Sequence, residues 1–301
     1  MSFIVNRDMK HFVENNPTLV SKKETSYPGV YVLKYKRKVF YDNLWNEYLE
    51  ECRGTLVDDE YNIISRPFSK IYNYGIEKRA PDLIPSSTVT AFRKINGFMV
   101  AITWYNDDIL VSTTGSTDSD YVKMALELID RERYRNVCKV WKGYTFMFEC
   151  VHPNDPHIIP EETGMYLIGF RQNYWNSNLI YSFDELKLLS EQFGCFEVEH
   201  YQVKLFTLMN IVKNVKHEGF VFYTGNGLSA KIKSPYYLIK KFVARNPKTD
   251  KLMDKNVKQK VDEEYYPLIN HIQYNIEEFT NLNEQDRLEW VRNFLDNTNE
   301  I

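Results

Sequence analysis

Strand-like and helix-like stretches follow one another along this 301-residue chain in no regular strand-helix-strand order, which limits it to a mixed architecture built on antiparallel sheets. Between residues 30 and 75, β-prone stretches alternate with turn signals: Pro28-Gly29 before VYVLKY, Asp58-Asp59 after GTLV, then NIISRPFSKIYNYG. This span reads as an antiparallel sheet. Two apolar strands at 98–104 and 109–113 are joined by a polar Tyr-Asn-Asp-Asp turn, and a second pair at 219–223 and 228–233 by Gly225-Asn226-Gly227. After Ser119, Val122, Ala125, Leu126 and Ile129 fall on one helical face. Ser182 and Glu185 have the spacing of a capping box, opening a helix that carries Leu186 and Leu189 inward until Gly194 stops it. Further helices are expected at about 204–214 and just before the Asn15-Asn16-Pro17 turn. The fold class is α+β.

Hydrophobic residues make up 43% and charged ones 26%, enough for a sizeable core and against extensive disorder. With 38 Lys+Arg against 41 Asp+Glu the net charge is -3, so binding to nucleic acid would need a local basic patch. One candidate is the run 240–260, with eight basic residues opposed by Asp250 and Asp254. From 261 to 301 the balance reverses, ten acidic residues against Arg287 and Arg292, and Leu288, Val291 and Leu295 share a helical face after Glu284. That shift divides the chain into a main domain, 1–239, and a small helical C-terminal domain, 240–301. Cys52, Cys138, Cys150 and Cys195 show no metal-ligand spacing and read as free thiols in a reducing compartment. No apolar run approaches 18 residues and no secretion signal is visible, so a cytoplasmic protein is expected.

Four short motifs carry chemistry. Lys94, in Arg93-Lys94-Ile95-Asn96-Gly97, could act as a nucleophile if its amine is neutral, with Gly97 allowing the turn that aims it. Glu149 ends an apolar alternation and could meet a ribose hydroxyl or a divalent cation. Glu218 and Gly219 introduce a strand. Lys231 and Lys233 stand two residues apart and share a strand face, where two ammonium groups repel unless an anion lies between them. Read singly, each motif is also compatible with a solvated turn or sheet edge.

Taken in order, Lys-x-x-Gly, strand-end Glu, Glu-Gly and Lys-x-Lys resemble the covalent nucleotidyltransferase superfamily of ATP-dependent ligases and capping enzymes. Upstream, Glu51-Cys52-Arg53-Gly54-Thr55 and Ser65-Arg66-Pro67-Phe68-Ser69-Lys70-Ile71-Tyr72-Asn73-Tyr74 resemble elements of the phage RNA ligase 1 family, the tRNA-repair type. The likeness spans about residues 50–235. It implies an antiparallel-sheet adenylation domain in which Lys94 takes AMP from ATP. It further implies that Arg53, Lys70, Lys231 and Lys233 contact phosphates and Tyr72 lies near the adenine. Ile95, Gly97 and Glu149 would line the nucleotide, and Glu218 and Glu149 would serve Mg²⁺ or Mn²⁺. Arg171, in YLIGFRQN, is a further candidate at the nucleotide site. Two positions depart from the phage pattern: Asn96 replaces an aspartate, and Thr114 replaces a lysine before Gly115-Ser116.

The implied function is an ATP-dependent RNA ligase joining 5′-phosphate and 3′-hydroxyl RNA ends, in RNA or tRNA repair, as a cytoplasmic monomer (host cytoplasm if phage-encoded). A DNA ligase, a GTP-using capping guanylyltransferase and a noncatalytic RNA-end-binding protein remain alternatives. About 68 helical, acidic residues after Lys233 do not read as the barrel that usually follows in the first two. No Gly-x-x-x-x-Gly-Lys-Ser/Thr loop is present, which sets aside an appended kinase.

Overall fold

The structure, a computed structural model, describes residues 4–245, 254, 256–259 and 265–298. Within them the strands are β1 (Val20–Glu24), β2 (Tyr31–Tyr35), β3 (Arg53–Val57), β4 (Ile63–Ser65), β5 (Tyr72–Asn73), β6 (Thr88–Arg93), β7 (Phe98–Tyr105), β8 (Asp108–Ser112), β9 (Tyr144–Val151), β10 (Gly164–Gln172), β11 (His200–Lys204), β12 (Gly219–Thr224) and β13 (Ser229–Lys233). They form three sheets, ordered β1-β2-β3-β4, β10-β9-β7-β8 and β11-β6-β12-β13-β5. The chain makes two compact units, residues 1–70 with 95–198 and residues 71–94 with 199–301.

The first unit holds the two four-stranded sheets. Val32 and Leu56 from one sheet, Val30 just before it and Leu110 from the other sheet share a buried cluster. The second sheet of this unit is covered by the helices Arg131–Val140 and Phe183–Phe193, whose Tyr134 and Phe193 pack on Phe146 and Phe148. The β7–β8 turn is tighter than the four-residue reading, with Asn106 and Asp107 both at positive φ, 48° and 60°, as a two-residue hairpin turn requires. The helix expected from Ser182 does run to Phe193 and ends in left-handed Gly194, but the Ser182 side chain makes no capping bond. Its carboxyl end is held instead by the Arg133 guanidinium, which donates to the carbonyls of Gln192 and Glu191.

In the second unit the five-stranded sheet buries one face under the helix Leu205–Asn214. Val89, Ala91, Phe220, Phe222, Ala230 and Ile232 point inward against Leu205, Leu208 and Val212. Because side chains alternate along a strand, burying Ala230 and Ile232 sends Lys231 and Lys233 to the other face together, as the sequence spacing implied. The span 30–75 is only partly one antiparallel sheet. β2, β3 and β4 are antiparallel neighbours, but Pro67 cannot continue the ladder, and Tyr72–Asn73 joins the other unit beside β13 in parallel. The described tail helices Tyr266–Tyr274, Ile276–Asn281 and Glu284–Thr298 group with the second unit, where Val291 and Leu295 are buried. Of the basic run 240–260 proposed above, residues 246–253, 255 and 260 lie outside the described residues.

Candidate active site

The second unit brings three of the sequence-predicted residues together, Lys94 and Lys233 around the carboxylate of Glu218. Lys94 directly follows β6, and its backbone N–H donates to the Gly219 carbonyl at 2.8 Å, extending the β6–β12 ladder by one bond. Gly219 is itself paired with Lys233. The three strand ends therefore bring Lys94 and Lys233 to Glu218. Lys94 Nζ lies 3.1 Å from Glu218 Oε2 and Lys233 Nζ 3.6 Å from Oε1, with the glutamate side chain only 4% exposed. A buried carboxylate needs such partners, because leaving it unpaired away from water is costly.

Gly219 makes this convergence possible. Its φ of 135° suits glycine alone, and an added Cβ would overlap the Ile232 carbonyl oxygen. Ser234, fully buried, closes the end of the ladder: its N–H donates to the Glu218 carbonyl at 2.9 Å and its hydroxyl to the His217 carbonyl at 2.6 Å. The sequence reading missed Ser234, which lies one position past the Lys-x-Lys motif. Burial, and then the charge of Arg93, lowers the His217 imidazole from its ordinary value, favouring its neutral form beside the cluster. Tyr72 is buried in β5, where its hydroxyl accepts a hydrogen bond from Arg79 Nε at 3.1 Å. Lys231 sits between β12 and β5, opposite Val221 and Asn73.

The first unit holds the remaining candidates. Gly97 approaches β9 so closely that an added Cβ would overlap the Cys150 carbonyl, and its N–H donates to Glu149 Oε1 at 3.2 Å. Asn96, which departs from the phage pattern, is 6% exposed and accepts from the Ile159 N–H at 3.0 Å. Its amide oxygen anchors the 152–163 loop. Ile95 is buried. Lys70 is also buried, with its ammonium 4.8 Å from the Trp45 ring centre. Arg53 stacks over Tyr35 at 5.9 Å.

Arg171 has a different role from the nucleotide contact considered for it. Its guanidinium is 4% exposed and donates to the Arg66 and Pro67 carbonyls, to Ser69 and to Glu51. Arg66 grips the same glutamate through two bonds of 3.0 Å. Burial alone would raise the Glu51 carboxyl, but Arg171 and Arg66 together hold it below the ordinary carboxylate value. Glu51, another residue the sequence reading passed over, thus ties the Ser65–Lys70 segment to β10.

All four cysteines are free thiols, and burial pushes Cys195 up to about 11 and Cys138 and Cys150 up to about 12. Burial thus favours the protonated thiol over the nucleophilic thiolate. Among the described residues no group of three His, Cys, Asp or Glu side chains could cage a metal ion, and no helix is long and apolar enough to cross a membrane. A divalent cation carried in on phosphates needs only one or two carboxylates from the protein.

The profile of the family described as RNA ligase matches residues 51–237, well over half of the chain. The chain belongs to the RNA ligase family. Its fold is similar to that of an archaeal ATP-dependent RNA ligase, with TM-scores of 0.59 and 0.58 for two forms, 16% identity, and 97% of this chain and 76% of that one covered. It is also similar to an Aquifex aeolicus protein assigned as an ATP-dependent DNA ligase, with a TM-score of 0.59, 17% identity, and 94% of this chain and 77% of that one covered. These likenesses bear out the α+β, antiparallel-sheet reading. The motif order from Arg53 to Lys233 lies inside the matched span.

Proposed function

We propose that this RNA ligase uses ATP and seals 5′-phosphate to 3′-hydroxyl RNA ends through a lysyl-AMP. The observation that carries the proposal is the Glu218 carboxylate held between Lys94 and Lys233. Lys94 must shed a proton before its amine can attack, and Glu218, 3.1 Å away, is placed to take it. The Nζ–phosphorus bond then forms at the ATP α-phosphate as the α–β anhydride bond breaks and pyrophosphate leaves. Lys233 and Lys231 face the negative charge that builds on the α-phosphate. Glu218 and Glu149 are each assigned to Mg²⁺ or Mn²⁺, which when bound would add Lewis-acid charge neutralisation at the phosphates. Gly97, Ile95, Tyr72, Arg53 and Lys70 are assigned to the nucleotide. In the second step an oxygen of the RNA 5′-phosphate displaces Lys94 from the AMP. In the third, the 3′-hydroxyl attacks that phosphate and AMP leaves.

Residues 1–239 form the adenylation module in this reading, and 240–301 a helical module that serves the RNA. The setting is RNA repair, tRNA included, in the cytoplasm, by a monomer. The test is incubation with Mg²⁺ and α-labelled ATP or GTP, followed by denaturation. Label from ATP, absent in Lys94→Ala, is expected. Label from GTP alone would redirect the assignment to capping chemistry, and no label even after stripping bound AMP with pyrophosphate would sink it.

A further inference from the structure

An anionic chain with a net charge of -3 needs a local positive surface to hold RNA, and the first unit presents one that the sequence reading did not single out. Lys34, at the end of β2, is followed by Lys36, Arg37 and Lys38 in the stretch KYKRK, with Asp42 the first acid downstream. All four basic side chains are exposed. Lys34 lies directly across the ladder from Arg53 of β3 because the register skips Gly54, a bulge whose φ is 102°. Two like charges opposite one another destabilise a sheet unless an anion offsets them. Neither Lys34, Lys36, Arg37, Lys38 nor Arg53 makes an ion pair with another described residue; Arg53 has only the Tyr35 ring. The loop after β8 adds backbone to the same place. Thr114 Cα lies 2.8 Å from where a Cβ on Gly54 would be, and the Lys34 ammonium 2.7 Å from where one on Gly115 would be. At Gly54 a larger side chain would meet the Thr113–Thr114 backbone, so the close approach of the loop depends on that glycine.

Resting on the RNA ligase reading, we propose that Lys34, Lys36, Arg37 and Lys38 form a track for the phosphodiester backbone of the RNA strand. Four exposed cations without an ion pair, running from the end of β2 into the short helix Arg37–Tyr41 that follows it, suit a polyanion better than a single small anion, and backbone phosphates are the polyanion an RNA ligase meets.

The test measures binding of a fluorescent single-stranded oligoribonucleotide by anisotropy between about 50 and 200 mM salt, using the full chain, Lys34→Gln and the triple variant Lys36→Gln/Arg37→Gln/Lys38→Gln. The slope of log Kd against log salt is expected to become shallower by about 0.7 for the single variant and about 2 for the triple one. These side chains are exposed, so the melting curves of the variants should match that of the wild type and keep the comparison one of binding. Slopes equal to the wild type in both variants would overturn the proposal. So would reduced labelling by α-labelled ATP with unchanged RNA slopes, which would assign the cations to the nucleotide's phosphates. A wild-type chain that takes no label from ATP is a failure of the ligase reading, visible apart from the slopes.

Discussion

At the residue scale, chemistry depends on single atoms held where the backbone would not ordinarily put them. Glu218 is the decisive case: replacing one carboxylate oxygen by an amide leaves its size but removes the proton acceptor 3.1 Å from Lys94. Glu218→Gln is expected to cut the rate of protein labelling by ATP about 10²-fold or more, read by single-turnover label incorporation on protein kept below its melting temperature. Gly219→Ala tests the geometry rather than the chemistry. The new methyl group meets the Ile232 carbonyl at a φ that L residues avoid, so a loss of about 3 kcal/mol or more is expected in denaturant unfolding. Asn96→Asp separates two roles. Either side chain accepts the Ile159 N–H, so the loop anchor is kept, while an aspartate at this buried position brings in a charge; a loss of about 1–3 kcal/mol is expected in denaturant unfolding, read apart from ATP labelling.

At the scale of elements, the Glu51–Arg66–Arg171 cluster fixes the irregular segment after β4 on the ends of β3 and β10. Glu51→Gln leaves two guanidinium groups buried without their counter-charge, and a loss of about 3–5 kcal/mol is expected from chemical denaturation. Its pH dependence follows from the direction of the Glu51 shift. A carboxyl held below its ordinary value stabilises the fold above that value and loses its contribution as pH falls through the lower, folded-state one. The gap in melting temperature between wild type and Glu51→Gln should therefore be full at neutral pH and narrow on acidification below about 4.5, the ordinary value for this group. A gap that stayed constant with pH would mean that shape, not charge, holds the segment.

At the scale of the whole molecule, the chain is woven: it passes between its two compact units after residues 70, 94 and 198. The proposed nucleophile is the last residue before one crossing. Truncation after residue 239 tests whether the tail is separable. Labelling at Lys94 is expected to survive, because the β6, β12 and β13 ends that build the Lys94–Glu218–Lys233 group all precede it. The melting temperature should fall, since the Tyr265 hydroxyl no longer donates to the Leu238 carbonyl and Leu238 is uncovered. Loss of labelling in folded 1–239 would make the tail part of the catalytic unit.

Local signals carried what depends on near neighbours in the chain. Alternation placed Lys231 and Lys233 on one face, the periodic apolar residues found the helices at 183–193 and 205–214, and the order of short motifs reached the RNA ligase family through residues that stand together in sequence. Contacts between distant segments were not legible there. Nothing in the sequence says that Ser234 closes the turn around Glu218, that Arg171 is spent on Glu51 and the 66–67 backbone, or that Lys34 stands opposite Arg53. The physical reason is register: a single bulge at Gly54 or a close approach at Gly219 shifts which side chains meet. Such shifts are settled by packing between segments far apart in the chain, where a local pattern holds no information.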